Sequence, residues 1–401
     1  MRIEPITELT TAFPGFLTDP HPAYRALRAQ GPVHRVKMPG GETVRLVLGY
    51  DAVRTALADP RLRNDIRHSA EFDDDGGYAI GLNMLQTDPP DHTRLRTLVA
   101  REFTARRIAH LRPRIEHICA ELLDDMTADR ADRADLVNDY AFPLPITVIS
   151  ELLGVPAADR AAFRGWSSDI VAVADAEKAG AAAVAMTGYL TGLIEDKRRQ
   201  APDEDGDLLH ALVRTHDQDD HLTPEELLGM AFLLLVAGHE TTANLISSAV
   251  HHLLRHPDQL AALRADPALV DGTVEEALRY EPPAQIAAYR YNAEPMTLAG
   301  TALDQGERVV LGLAAANRDP DRFADPDRFD IHRDPAVNRA QIAFSHGIHH
   351  CLGAPLARLE TAIALPALLS RFPDLALDET ADAPEWRPSL LRGLRNLPVR
   401  W

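Results

Sequence analysis

Residues 223–255 read as one long helix, and the rest of this 401-residue chain has to be arranged around it. Thr223-Pro224-Glu225-Glu226 is a capping box with Pro at the first helical position. His256-Pro257 supplies the stop. Roughly 30 residues at 1.5 Å each give about 45 Å. Met230 to Ala237 is apolar around the whole circumference, so the helix is buried. A buried rod of that length calls for a mainly helical shell. Its middle breaks the pattern. Ala237-Gly238-His239-Glu240-Thr241-Thr242 puts glycine, a carboxylate and β-branched residues where a buried helix tolerates them poorly. Thr241 can bond back to the carbonyl of Ala237, which bends a helix or opens it to water.

A second stretch carries chemistry. Phe344-Ser345-His346-Gly347-Ile348-His349-His350-Cys351-Leu352-Gly353 runs into a helical pattern through Ala354, Leu356, Leu359, Ile363 and Leu368. Cys351 therefore sits at or just before a helix N-terminus, where unpaired N–H groups and the helix dipole favour a thiolate. Gly347 and Gly353 let backbone approach something bulky, or take positive φ. A thiolate beside such backbone suits a flat metallocofactor, and Cys thiolate is one of the few protein ligands of haem iron. A nucleophilic cysteine is the alternative, and it would need a base brought close in space. Cys119, between Ile118 and Ala120 in a helical pattern, reads as a small buried hydrophobe.

The N-terminal part alternates short elements: a helix over 22–29, strands over 33–37 and 44–48 around Gly40-Gly41, and a helix over 51–58. Further helices are expected over 159–174 and 181–199, around a polar turn at 175–180, and over 270–280. Residues 297–303 and 308–313 read as a strand pair. The chain is thus mainly α with small β-sheets. With no linker, repeat or low-complexity segment, it reads as a single domain, 1–401. His92 and Arg96 share one face of a helix that starts near Asp91, and Glu276 and Arg279 share another. The net charge of -18 argues against nucleic acid and anionic membrane as partners. Two distant cysteines make no disulfide framework. The N-terminus has no apolar signal core, and no stretch reads as long and apolar enough to span a bilayer. A cytoplasmic protein without a membrane partner is the expectation.

Several motifs occur in a fixed order. They are Asp88-Pro-Pro-x-His92 with Arg96, Ala237-Gly-x-Glu-Thr-Thr242, Glu276-x-x-Arg279, Pro326-x-Arg-Phe329 and Phe344-x-x-Gly-x-His-x-Cys-x-Gly353. Together they resemble the cytochrome P-450 family, across essentially the whole chain. The resemblance implies that fold, with haem b held between the long helix and the Cys loop with its helix. It makes Cys351 the axial iron ligand and puts Phe344, Gly347, Gly353 and Ala237 against the haem. His92, Arg96, Arg290 and His349 would bind the haem propionates. Thr241 would hold dioxygen and a water, and Glu240 would relay protons from solvent. Glu276 and Arg279, with Arg328 as third member, would hold the core behind the haem. The helix pair between 159 and 199 would form a lid. Pocket candidates are Leu82, Met84, Leu85, Leu234, Gly238, Ile286, Ala287 and Leu390, which are mostly apolar, as ligand pockets usually are.

The likeness is greatest to soluble actinobacterial members that hydroxylate macrolide-like natural products. The implied activity is a haem-thiolate monooxygenase that inserts one oxygen atom from O2 into a bulky apolar small molecule, in antibiotic biosynthesis. Electrons would come from ferredoxin and ferredoxin reductase. Arg94, Arg101, Arg106 and Arg107, crowded in an acidic chain, offer a dock for an acidic ferredoxin. Alternatives are a steroid or terpenoid hydroxylase, a peroxide-driven enzyme and a non-catalytic haem sensor; the last two would not need the Glu240-Thr241 pair. Ser345 stands where the family commonly has Gly, and His350 where an aromatic residue is frequent.

Overall fold

A computed structural model describes residues 6–72, 82–128, 132–171, 176–200, 207–217, 222–389 and 391–401. The helices that position the site are α1 (His21–Arg28), α2 (Tyr50–Ala58), α3 (Asp91–Ala100), α4 (Arg112–Ala128), α5 (Pro143–Leu153), α6 (Arg160–Val171), α7 (Ala176–Arg199), α8 (Pro224–Arg255), α9 (Val270–Tyr280) and α10 (Ala354–Arg371). α8 is the long helix, and α5, α7, α9 and α10 all pack on it. Its capping box is complete: Glu226 N donates to Thr223 Oγ1 at 3.2 Å, and the Glu226 carboxylate accepts from Thr223 N at 2.9 Å. Against the sequence expectation, α8 is long and apolar enough to cross a membrane. It does not face outward, since 72% of its apolar window is buried inside the protein. Neighbouring helices cover the apolar circumference that a bilayer would otherwise have to cover.

Six strands form the main sheet: β1 (Thr7–Glu8), β2 (Val33–Lys37), β3 (Thr43–Val47), β4 (Leu62–Arg63), β5 (Arg290–Asn292) and β6 (Arg308–Leu311). Their order is β1-β2-β3-β6-β5-β4. β2 and β3 are antiparallel, with Val36 opposite Val44, and β3 and β6 are parallel, with Leu46 opposite Val310. The period of two decides which residues meet. Val36, Val44, Leu46 and Val310 pack on Leu9, Tyr24 and Leu27 on one face. Val33, Val47, Val309 and Leu311 pack on Val53 and Leu57 of α2 on the other. β5 places Arg290 in the interior of this arrangement.

Two expected elements differ. Residues 297–303 and 308–313 do not pair. Met296–Leu298 instead forms its own hairpin with Thr301–Leu303, through Ala299 (φ 46°) and Gly300 (φ 84°). That turn consumes both strands locally and leaves 308–311 to join β3 and β5. Residues 176–180, expected as a turn, open α7. Ala176, Glu177, Lys178 and Ala179 are good helix formers, and Lys178 reaches Asp169 of α6 at 2.8 Å.

α9 carries the Glu276–Arg279 pair, fully buried, with two bonds of 2.8 and 2.7 Å. The expected third member, Arg328, is a correction. Its side chain is 63% exposed, and only its backbone carbonyl reaches Arg279, at 3.0 Å. Arg333 takes the place, donating to Glu276 Oε2 at 3.2 Å. Asp325 adopts φ 46°, and the loop after it turns the carbonyls of Pro326 and Arg328, not the Arg328 guanidinium, toward Arg279. Deleting one member of such a cluster costs about 3–5 kcal/mol, because a buried charge is left uncompensated.

Candidate functional site

α10 begins at Ala354 with Gly353 as its N-cap, so Cys351 lies just before the helix. Cys351 N donates to Phe344 O at 2.8 Å and closes the loop. Gly347 has φ 76°, and a Cβ there would sit 2.8 Å from the carbonyl oxygen of Leu57. The glycine is required because α2 crosses so closely. Ser345 has φ 65°, left-handed backbone that costs a residue with a Cβ. A glycine at this place, as the resemblance implies, would avoid that cost.

Cys351 opens onto a cavity of about 290 Å³. Phe344, His349 and Gly353 line it from the Cys loop, and Ala237, Gly238 and Thr241 from α8. Thr241 Oγ1 donates to Ala237 O at 2.9 Å, the back-bond expected from the sequence. Gly238 is where α5 presses on α8: a Cβ would lie 2.7 Å from Ile149 Cγ1. Met84, Leu85, Leu234, Ile286 and Ala287 add apolar wall. Leu82 and Gly347 are not part of the lining, and Leu390 lies outside the described residues. Leu233 and Leu245 line the cavity too. Sequence reasoning missed them, although 233, 237, 241 and 245 fall on one helical face at i,i+4.

Glu240 is placed differently. It is fully buried and does not line the cavity. Its Oε2 accepts from Arg387 at 3.1 Å and its Oε1 from Ser168 Oγ at 3.3 Å. Arg387 is 147 residues further along the chain, and no local pattern points to it.

At the edge of the cavity, donors converge without acceptors. Arg290 is 2% exposed, and its Nε has no partner. Among the described residues neither ring nitrogen of His92 has a well-formed hydrogen bond, although the backbone of Ile348 lies close to it, and His349 Nε2 has no partner. Burial pushes the Arg290 guanidinium down to about 10, and Asp88 only partly opposes this. Burial first, and then neighbouring arginines, push both imidazoles below their ordinary value. Arg96, also on the cavity wall, donates to His350 O at 2.7 Å. A buried guanidinium without a carboxylate is costly. This set is therefore complementary to an anionic group.

The Cys351 sulfur has accessible surface in the cavity yet is enclosed by protein elsewhere. Burial raises its pKa, and the N–H groups of Gly353 and Ala354, with Arg96 and Arg358, pull it back in part. The helix-terminus effect expected from the sequence is present but is outweighed by desolvation. A cation bound to the sulfur reverses that balance, since a coordinating thiol is deprotonated outright.

Residues 162–393 match the family model described as Cytochrome P450. The chain is 55% identical to the cytochrome P450 monooxygenase PikC of Streptomyces venezuelae, over 99% of this chain and 94% of that one. The chain belongs to the cytochrome P450 family. It is also 47% identical to a vitamin D(3) 25-hydroxylase of Pseudonocardia autotrophica, over 98% of this chain and 96% of that one. Identity is 43% to a 6-deoxyerythronolide B hydroxylase of Saccharopolyspora erythraea, over 96% of each. The protein is a P450 monooxygenase, of a family that uses haem, O2 and redox partners. The residues fit haem. A thiol opens into the cavity, and the buried Arg290, His92 and His349 nitrogens, unpaired among the described residues, suit carboxylates.

Proposed function

We propose that this protein is a haem b monooxygenase that hydroxylates a bulky, mostly apolar, macrolide-like natural product in antibiotic biosynthesis, in the cytoplasm. The observation that carries the reading is Arg290. It is a buried guanidinium without a carboxylate partner among the described residues, beside the unsatisfied nitrogens of His92 and His349. Haem bound there supplies activation of dioxygen and insertion of one oxygen atom into a C–H bond. Cys351 gives its thiolate to the iron. Arg290, Arg96, His92 and His349 hold the two propionates, with the arginine forks matched to carboxylate. Phe344, Gly353 and Ala237 give the flat group its walls. Thr241, anchored on Ala237 O, presents its hydroxyl in the cavity for dioxygen and a water, and Glu240 collects protons from the solvent side.

The substrate reading rests on the walls. Met84, Leu85, Leu233, Leu234, Ile286 and Ala287 offer apolar contact. The arginines among the described lining residues, Arg96 and Arg290, are assigned to the haem, so a fatty-acid carboxylate lacks an anchor there. The hydroxylase of 6-deoxyerythronolide B, a macrolide aglycone, supports the same reading. A steroid-like substrate is the second reading, favoured by the vitamin D(3) hydroxylase among the relatives.

Electrons come from an acidic ferredoxin and its reductase. Arg101 and Arg106 stand on a surface groove of about 790 Å³, and Phe103 and Leu356 border both this groove and the site cavity. Arg94 and Arg107 are engaged with Glu226 and Glu102, which leaves Arg101 and Arg106 to steer the partner. Electron transfer then slows as salt rises.

The test has two parts. The reduced, carbon-monoxide-bound protein shows a thiolate-type spectrum that Cys351→Ser abolishes; survival of that spectrum overturns the ligand. Titration with 6-deoxyerythronolide B, vitamin D3, a terpene and a fatty acid, read as the haem spin-state shift, ranks the substrate classes. The macrolide gives the largest shift, and a response to the fatty acid alone overturns the substrate reading.

A further inference from the structure

Glu240 sits in α8 beside the cavity, but its carboxylate is turned away from it and carries no accessible surface. A carboxylate without water must find a cation or take up a proton. The chain contains its own control. Glu360, in α10, is 1% exposed and its Oε2 has no partner. Burial alone drives its pKa well above the carboxylate range. Glu240 has a different environment. Arg387 donates to its Oε2 at 3.1 Å and to Asn244 Oδ1, one turn further along α8, at 2.9 Å. Ser168 of α6 donates to its Oε1 at 3.3 Å. His239 also lies near it, and burial shifts that imidazole toward the neutral form. The Arg387 side chain is 21% exposed while that of Glu240 is 0% exposed, and Arg387 Nε is buried without a partner among the described residues.

The approach of Arg387 is built into the backbone. Arg387 N donates to Gly393 O at 2.9 Å, and Trp386 and Leu394 form a bridge around them. A Cβ at Gly393 would lie 2.0 Å from Asn244 Oδ1. Glycine is what allows this segment to rest directly on α8 and deliver the guanidinium.

We propose that Arg387 is a positioning residue for proton delivery: its guanidinium holds the Glu240 side chain in place as the station from which protons pass to Thr241. This rests on the reading of Glu240 as the relay. A proton moves from water to a Glu240 oxygen, leaves that oxygen toward the hydroxyl side of α8, and the carboxylate is restored. Without Arg387, Glu240 is left buried with no cation to hold it, as Glu360 is.

The experiment uses haem-loaded protein. In Arg387→Leu, the infrared spectrum at neutral pH gains a protonated-carboxyl band beyond any from Glu360, and that additional band is absent from the parent and from Arg387→Leu/Glu240→Gln. With ferredoxin and its reductase, the fraction of NADPH electrons recovered as hydrogen peroxide rises several-fold, and Arg387→Lys restores it in part. Gly393→Ala, which displaces the segment without removing the charge, gives the same band. It also serves as the second variant where Arg387→Leu folds poorly. No additional band in either variant, or an additional band that persists in the double variant, overturns the proposal. If Glu240→Gln leaves the peroxide fraction at the parental level, the relay reading falls and takes this role with it. If Glu240→Gln raises the fraction and Arg387→Leu does not, the relay stands and the role of Arg387 alone is overturned.

Discussion

The rings of His92 and His349 lie 4.3 Å apart, one carried by α3 and the other by the loop that precedes Cys351. Burial and the nearby arginines shift both below their ordinary value, so they meet as neutral donors beside a permanent cation, Arg290. Two imidazoles and a guanidinium without a carboxylate among the described residues favour an anionic group between them.

Removing Arg290 therefore weakens haem retention. A hydrogen bond to a charged group is worth roughly 1.5–3 kcal/mol, which corresponds to about a 10–100-fold loss for Arg290→Leu. Arg290→Lys recovers part of it, since an ammonium keeps the charge but lacks the planar fork. Transfer of haem to an excess of apomyoglobin measures the loss. Retention equal to the parent would take Arg290 out of the haem site.

Thr241→Ala keeps the helix, because Oγ1 bonds only back to Ala237 O at 2.9 Å in this structure. Haem content and the substrate-induced spin shift stay near parental values. Product formed per NADPH falls by about 10-fold or more, in the lower range of what a positioned proton-transfer group contributes. Hydrogen peroxide accounts for the missing electrons. Unchanged coupling would reduce Thr241 to a helix residue.

The Cys loop makes opposite predictions at two neighbouring positions. Ser345 holds φ 65° with a Cβ, so Ser345→Gly stabilises the haem-loaded protein by about 0.5–1 kcal/mol. Gly347→Ala adds a Cβ 2.8 Å from Leu57 O at φ 76°, and the loop has to separate from α2. A drop in thermal midpoint and in haem content follows. Thermal melts of the two variants beside the parent decide both.

Acid attacks the far end of α8. Burial pushes His251 down to about 4 and His252 down to about 3, from an ordinary value of 6.5. The folded state therefore binds fewer protons than the unfolded state below pH 6.5. Their contribution is fully present above that pH and is lost as pH falls toward 4 and then 3. Each histidine costs up to about 1.4 kcal/mol per pH unit in that window. Urea midpoints between pH 7 and 5 show the slope, and His252→Phe flattens it. An equal slope in that variant would assign the acid sensitivity to other groups.

The chain by itself determined its long helix, its Cys loop and the helical face of His92 and Arg96. Each of these is written in residues a few positions apart: a capping box, a run of apolar residues, a cysteine between two glycines before a helical pattern. The back-bond from Thr241 to Ala237 was legible for the same reason, because it spans one helical turn. Tertiary structure decided the partners of buried charge. Glu276 pairs with Arg333 rather than using the Arg328 side chain, since a positive φ at Asp325 turns the loop and directs carbonyls inward. Glu240 meets Arg387, and Arg290 meets no carboxylate among the described residues, because loops distant in sequence set those distances. Helix and turn signals act over a few residues, whereas a buried ion's partner is fixed by whichever distant backbone folds against it. That is why the elements could be read from the sequence and the electrostatics of the site could not.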